Sequence, residues 1–338
     1  MRTKPNAARL QPQPRPVIER GHAAIARNGE RRRGARRAVS DPTSRPGRGR
    51  RWLVLGIAIG LVAIAILIAF GPGGLTRPHP ISILQTSDFH VLAFSPTDPD
   101  VVYFGHHNGL LRSTDGGRNW LPLLEQAEID ALGLAFPRDG SGRMVLAGHS
   151  GLQGSTDGGA TWAEIPTDLP VSDIHALAMH PDDPKLLHAF VVGRGLFASS
   201  NGGETWNRLV GDLPLDVMAM ASMGGTPERL ILATARAGLF RSIDGGTTWA
   251  TVPGGPAPGP VFSLALEPKS GAIYAGASDG LFRSADGGES WQKLPYPGKN
   301  ALSVAVSPIQ PGALLALSME ERRGLLYRSE DGGSSWAR

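Results

Sequence analysis

Aspartate and histidine residues occur at matching spacings between residues 88 and 175. His90 and His175 each follow an aspartate by two residues, and His107 and His149 each precede a glycine by two residues. Imidazole together with carboxylate is a workable ligand set for zinc, copper or iron. No HExxH-type spacing accompanies these residues, so two hypotheses stay open: a polar or metal-binding pocket, or side chains that cap turns and form ordinary hydrogen bonds.

The composition favours strands and turns and excludes some chemistry. The 338 residues include 45 glycines and 28 prolines, and 41% of the residues are hydrophobic. No cysteine is present, which excludes disulfides, cysteine-ligated zinc and a cysteine nucleophile. Any catalysis must therefore use other groups.

An octet of the form Ser-x-Asp-Gly-Gly-x-x-Trp occurs six times, with Asn replacing Asp in the third copy. Consecutive tryptophans lie roughly 43 residues apart, which is the repeat length of a four-stranded propeller blade. The acidic or amide residue and the tryptophan of the six octets are Asp115 and Trp120, Asp157 and Trp162, Asn201 and Trp206, Asp244 and Trp249, Asp286 and Trp291, and Asp331 and Trp336.

The residue types of the octet predict a hairpin turn. The aspartate can accept backbone N–H bonds across the turn, and the two glycines can adopt left-handed conformations. The tryptophan then begins the next strand and buries its ring against a neighbouring repeat. These residues are therefore expected to be structural.

Each period also reads as four short strands, as in residues 90–96, 100–107, 109–113 and 120–126. We therefore predict an all-β, six-bladed β-propeller over residues 79–338.

Closure of the ring needs one more strand. Only Ala337 and Arg338 follow the last tryptophan, so the sixth blade lacks an outer strand. Residues 81–85 resemble the outer-strand segment of the first blade, and we expect them to pair with the sixth blade and remove its open edge.

The octets resemble the Asp-box, or BNR, repeat, and residues 79–338 resemble bacterial glycosyl-hydrolase-like BNR propellers. The resemblance extends to sialidases, sortilin-type propellers and photosystem II assembly factors. It implies the propeller fold but says little about activity, because these boxes lie away from the sialidase catalytic face and recur in binding proteins.

A sialidase-like mechanism, which the resemblance implies, would use an arginine cluster, a tyrosine nucleophile and an acid/base aspartate. Tyr103, Tyr274 and Tyr327 fall inside predicted strands, and Tyr296 lies in a loop. The Phe-Arg-Ile-Pro motif is absent, since the corresponding segment reads TRPHP. The sequence therefore fits a sialidase poorly.

The passages between blades and the turns between second and third strands are expected to share one face, opposite the octets. Aspartates precede the first strand in four blades, and Asn300 takes this place in the sixth. The candidate residues for this ligand face are Asp88, His90, His107, Asp130, His149, Asp173, His175 and Asp216. Of these, His90, His107, His149 and His175 are the candidate ligands of a divalent metal.

Residues 52–70 contain no charge and would span about 28 Å as a helix, which is typical of a transmembrane segment. Arg48, Arg50 and Arg51 precede it, so the positive-inside rule predicts a cytoplasmic N-terminus and an extracytoplasmic propeller. The long preceding region and Pro72 disfavour a cleaved signal peptide.

Residues 1–51 are rich in Arg, Pro, Gly and Ala and are predicted to be a disordered basic tail, with residues 71–78 as a linker. Anionic lipid explains the basic charge more simply than nucleic acid, because the tail lacks interleaved aromatic residues.

Two functions compete at this point. The favoured one is a membrane-anchored extracytoplasmic module that binds or assembles with a protein or glycan. The alternative is a glycoside hydrolase acting on extracellular sugar, which would need two carboxylates about 5–10 Å apart across a pocket.

Overall fold

The computed structural model describes residues 77–86, 88–125, 129–209, 211, 213–256 and 259–337. Within these ranges the chain forms strands, turns and loops and no helix, and so contains no helix able to span a membrane. The predicted tail (1–51), transmembrane helix (52–70) and most of the predicted linker lie outside the described residues.

The described residues form six antiparallel sheets of four strands each. After β1 (Ser82–Leu84), the first three blades are built from consecutive strands. Blade 1 contains β2 (Leu92–Phe94), β3 (Val102–His106), β4 (Gly109–Ser113) and β5 (Leu121–Glu125); blade 2 contains β6 (Gly133–Ala135), β7 (Met144–Gly148), β8 (Gly151–Ser155) and β9 (Ala163–Glu164); blade 3 contains β10 (Ile174–His180), β11 (Asp183–Val191), β12 (Gly195–Ser199) and β13 (Asn207–Arg208).

Blades 4 and 5 repeat this order, and blade 6 takes its outer strand from the start of the propeller. Blade 4 contains β14 (Val217–Gly224), β15 (Arg229–Thr234), β16 (Leu239–Ser242) and β17 (Ala250–Thr251); blade 5 contains β18 (Val261–Leu266), β19 (Ile273–Ala277), β20 (Gly280–Ser284) and β21 (Gln292–Lys293); blade 6 contains β22 (Ser303–Val306), β23 (Leu314–Glu320) and β24 (Arg323–Ser329), with β1 outermost. The predicted six-bladed propeller is confirmed.

The predicted ring closure is also confirmed. β1 pairs antiparallel with β24, with Ser82 opposite Leu326 and Leu84 opposite Gly324. The Ile81 amide donates a further hydrogen bond of 2.8 Å to the Leu326 carbonyl. Strand β24 is therefore paired on both sides, which removes the open edge of the sixth blade.

The hydrophobic core lies between neighbouring blades. One cluster joins Val145 and Leu152 of blade 2 to Ile174, Leu187 and Trp206 of blade 3. All of these side chains are less than a tenth exposed. Each blade therefore completes its hydrophobic core against its neighbours.

The octet turn is held by hydrogen bonds that its own residues form. In blade 2, Asp157 Oδ1 accepts from the Ser155 hydroxyl (2.8 Å) and the Thr161 amide (2.9 Å), and Oδ2 accepts from the Thr161 hydroxyl (2.6 Å). Gly159 has a φ of +90° and accepts a bond from the Trp162 indole. These contacts fix the hairpin of blade 2.

The third octet keeps this pattern with an amide in place of the carboxylate. Asn201 Oδ1 accepts from the Ser199 hydroxyl at 2.9 Å and from the Thr205 amide at 3.0 Å. The Asn201 amide nitrogen donates to the Thr205 hydroxyl, reversing the direction of one bond. Geometry is thus conserved at this turn without the negative charge.

Candidate functional site

The predicted ligand-face residues come from the strand ends opposite the octets. His107 and His149 lie in the turns after β3 and β7, whereas the octets join the third strand of each blade to the fourth. Asp130 lies in the passage from β5 to β6, and Asp173 immediately precedes β10, which contains His175. Antiparallel pairing places all of these positions at the same end of the strands.

Asp130 is the centre of the cluster. Its side chain is only 4% exposed, and three imidazoles from blades 1 and 2 surround it. Asp130 Oδ1 lies 2.7 Å from His90 Nε2, while Oδ2 lies 3.2 Å from His107 Nδ1 and 3.0 Å from His149 Nδ1. The carboxylate therefore contacts three segments: the turn after β3, the turn after β7 and the segment before β2.

His149 extends the cluster to blade 3. Its Nε2 atom lies 3.5 Å from Asp173 Oδ1 and 3.3 Å from His175 Nε2. His175 Nε2 is in turn 3.2 Å from Asp173 Oδ1. One imidazole thus contacts Asp130 through its Nδ1 atom and the Asp173–His175 pair through its Nε2 atom.

Several polar atoms of this cluster are buried without a hydrogen bond among the described residues. They include His90 Nε2, Asp130 Oδ1 and Asp173 Oδ1. His90 Nε2 and Asp130 Oδ1 face each other at an ion-pair distance, so Asp173 Oδ1 is the atom left without such a close partner. An unpaired buried acceptor is costly, which favours a bound ligand beside Asp173.

Burial also affects the protonation of His90. Desolvation lowers its pKa below the ordinary histidine value, and the opposing attraction of Asp130 only partly offsets this effect. A lowered pKa favours the neutral imidazole, which can present a lone pair to a hydrogen-bond donor or a metal.

The side chains of this cluster, except Asp173, line a cavity of about 430 Å³ at one mouth of the central channel, and Asp173 lies beside it through its contact with His175. We define the histidine pocket as Asp88, His90, His107, Asp130, His149, Asp173 and His175. Apolar side chains of the other blades complete the wall, among them Met218 and Phe262. The cavity therefore has a polar half and an apolar half.

The apolar half was not among the sequence predictions, although the repeat register contains the signal. The residue two positions after Asp88 in the first blade has a counterpart in every blade. These six equivalent residues all line the cavity: His90, Leu132, His175, Met218, Phe262 and Leu302.

Two of the predicted positions have other surroundings. Asp216 precedes β14 and does not line the cavity; its carbonyl oxygen accepts from the Ala235 amide. Asn300 bonds the backbone of Met319 through both its oxygen (2.9 Å) and its nitrogen (3.2 Å). Asn300 is therefore a turn-holding residue, as the structural hypothesis predicts.

The opposite mouth of the channel contains a second cavity of about 220 Å³. Apolar residues such as Phe94, Phe136 and Met179 line it, and Arg138 is its one charged residue within the described part of the chain. It has neither carboxylate nor imidazole in its lining, unlike the histidine pocket.

The fold and the site define a six-bladed β-propeller with a histidine–aspartate pocket at one channel mouth. No family model and no curated protein matches the chain. Among solved structures, the GH74 xyloglucanase from Xanthomonas campestris aligns with a TM-score of 0.57 and 22% identity, covering 77% of this chain and 46% of that one. This chain therefore spans less than half the length of the xyloglucanase.

Two further structures align over similar ranges of this chain. U3-55K gives a TM-score of 0.52 with 14% identity, covering 77% of this chain and 84% of that one. The extracellular domain of BT4673 from B. thetaiotaomicron gives 0.50 with 15% identity, covering 78% and 33%. These likenesses confirm the predicted propeller class at the level of the fold.

Proposed function

We propose that the chain is a binding module whose protein or glycan ligand enters the histidine pocket, and that residues 52–70 tether it to a membrane with the propeller on the extracytoplasmic side. The observation that carries the proposal is the buried Asp130 carboxylate with its three imidazoles at the base of an open cavity. A polar half and an apolar half together suit a ligand of mixed character, such as a sugar or a peptide.

The pocket supports binding better than sialidase-type hydrolysis. Tyr103, Tyr274 and Tyr327 are buried in strands, and the pKa of Tyr296 is raised well above its usual value by burial. None of the four tyrosines lines the cavity. Asp130 is too enclosed by imidazoles to reach a glycosidic oxygen, so it is a poor general acid.

A glycoside hydrolase is the second candidate, favoured by one observation. Asp88 is exposed and Asp173 is 40% exposed, and they lie at the two ends of the histidine row. Such a pair of accessible carboxylates is what glycoside hydrolysis requires. The test must therefore measure turnover together with binding.

The experiment uses the purified full chain against panels of cell-envelope glycans and peptides, and against aryl glycosides for turnover. We expect saturable binding without turnover, lost in His107→Ala and His175→Ala and retained in the control His79→Ala, an exposed residue outside the pocket. Turnover that disappears in Asp173→Asn would establish the hydrolase instead. Binding that is retained in both pocket variants would show that the ligand site lies outside the histidine pocket.

The membrane arrangement has its own test. Protease added outside intact cells, or to spheroplasts where an outer membrane is present, should digest the propeller and spare the basic tail. Protection of the propeller would reverse the proposed orientation.

A further inference from the structure

We infer that the histidine pocket holds one divalent transition-metal ion of the zinc or copper class, bound by His149 Nε2, His175 Nε2 and Asp173 Oδ1. The inference rests on the proposed binding function, because it assigns the ion that contacts the ligand in that pocket.

The three donor atoms form a nearly equilateral triangle. Its edges are 3.3 Å between His149 Nε2 and His175 Nε2, 3.5 Å between His149 Nε2 and Asp173 Oδ1, and 3.2 Å between His175 Nε2 and Asp173 Oδ1. Tetrahedral zinc with bonds of about 2.0–2.1 Å needs ligand atoms about 3.3 Å apart. The triangle therefore has the size of one face of a zinc tetrahedron.

Asp130 orients the central ligand. Its Oδ2 atom lies 3.0 Å from His149 Nδ1, which is an ion-pair distance. A proton on Nδ1 would face this carboxylate and leave the lone pair on Nε2, which lies 3.3 Å from His175 Nε2 and 3.5 Å from Asp173 Oδ1. A buried carboxylate behind a histidine is the usual outer-shell support of a metal-binding imidazole.

With neutral imidazoles, the protein groups leave one acceptor of the triangle without a donor. With a lone pair on His149 Nε2, the Nε2–H of His175 has two acceptors within reach, His149 Nε2 at 3.3 Å and Asp173 Oδ1 at 3.2 Å. A single N–H can bond well to one of them, which leaves a second acceptor unpaired. Asp173 Oδ1 is indeed buried and without a hydrogen bond. One cation at the centre of the triangle satisfies all three atoms.

The neighbouring residues Asp88, His90 and His107 also bring their ligand atoms within 4.8 Å of one another. Here His90 Nε2 and His107 Nδ1 both contact Asp130, so these atoms support the central carboxylate. One ion is therefore assigned to the His149–Asp173–His175 triangle, while His90 and His107 hold the central carboxylate in place.

Three protein ligands leave a fourth position, as in zinc sites that bind an external ligand. His149 and His175 line the cavity, so the open position faces its interior. An oxygen or nitrogen donor of the ligand, such as a carboxylate or a sugar hydroxyl, would complete the coordination.

The test is calorimetric titration of chelator-treated full chain with zinc, repeated with cobalt to record its visible spectrum. We expect one site per chain, a cobalt spectrum typical of tetrahedral coordination, and loss of the site in His175→Ala and Asp173→Asn. Asp130→Asn should lower the affinity about 10–100-fold, because it weakens the support of His149. The His79→Ala variant is the matched control and should bind as the wild type does.

Circular dichroism and thermal melting in chelator would show that each variant is folded, and His149→Gln provides a second ligand variant. Absence of zinc heat, or zinc binding equal in wild type and the triangle variants, would overturn the inference. If a glycan or peptide binds in the presence of chelator and zinc does not bind, the metal site is refuted and the proposed binding function stands. If zinc binds and no glycan or peptide does, the proposed binding function is refuted and the metal site stands.

Discussion

A β-carbon added to Gly148 would lie 1.6 Å from the carbonyl oxygen of Asp130. Gly148 is the last residue of β7, so its missing side chain allows blade 2 to approach the backbone that carries the central carboxylate of the histidine pocket. Gly148→Ala must displace this passage. Because overpacking of this kind costs about 1–3 kcal/mol, we expect lower stability and weaker zinc binding, measured by urea unfolding and calorimetry.

The matched control is Gly211→Ala. The added β-carbon there would meet its nearest atoms, in Thr247 and Trp249, at 3.6 and 3.8 Å, which are ordinary contact distances. A change within about 0.5 kcal/mol is expected for such a surface substitution. Equal effects of the two substitutions would show that the Gly148 contact with Asp130 is unimportant.

The tryptophan of the third octet offers a test of packing between blades. Trp206 is 8% exposed, packs with Leu187 and Phe197, and donates a 2.8 Å hydrogen bond to the Gly203 carbonyl. Trp206→Ala should lower the free energy of unfolding by about 3–5 kcal/mol. The same substitution at the half-buried Trp291 should lower the free energy of unfolding by less. A decrease below about 1 kcal/mol for Trp206→Ala would contradict the packing between blades.

Deletion of residues 81–85 tests the ring closure. The deletion removes β1 and leaves β24 with an unpaired edge, so we expect lower stability and concentration-dependent aggregation. Light scattering would measure the aggregation. A chain that begins at residue 77 retains β1 and serves as the control. A deletion variant that stays monomeric and equally stable would show that β1 is dispensable.

The blades could be predicted from sequence because their causes are local: each octet makes its turn from its own residues, as the Asp157 contacts show. The closing strand could be predicted because residues 81–85 resemble the outer-strand segment of the first blade. The face of each candidate residue followed from strand register in the same way.

The internal geometry of the site could not be predicted, because it depends on how three blades are placed around the ring. Asp130 and Asp88 occupy equivalent repeat positions, yet Asp130 is buried among imidazoles and Asp88 is exposed. Their position in the repeat does not distinguish these two aspartates. Met218 could have been found by extending the register of His90 and His175 to the fourth blade, since only the residue type differs.

The octet aspartates should make the propeller acid-sensitive over a defined pH range. Hydrogen bonds from Thr161 hold the pKa of Asp157 at about 2, and those from Thr248 hold that of Asp244 at about 2, against about 3.9 in an unfolded chain. The native state thus binds fewer protons, so the stabilisation is present above about pH 4 and is lost as pH falls towards 2. Asp157→Asn should retain the turn, as Asn201 does, and show a flatter dependence of the urea midpoint on pH between 5 and 2.5. Parallel curves for wild type and variant would contradict the prediction.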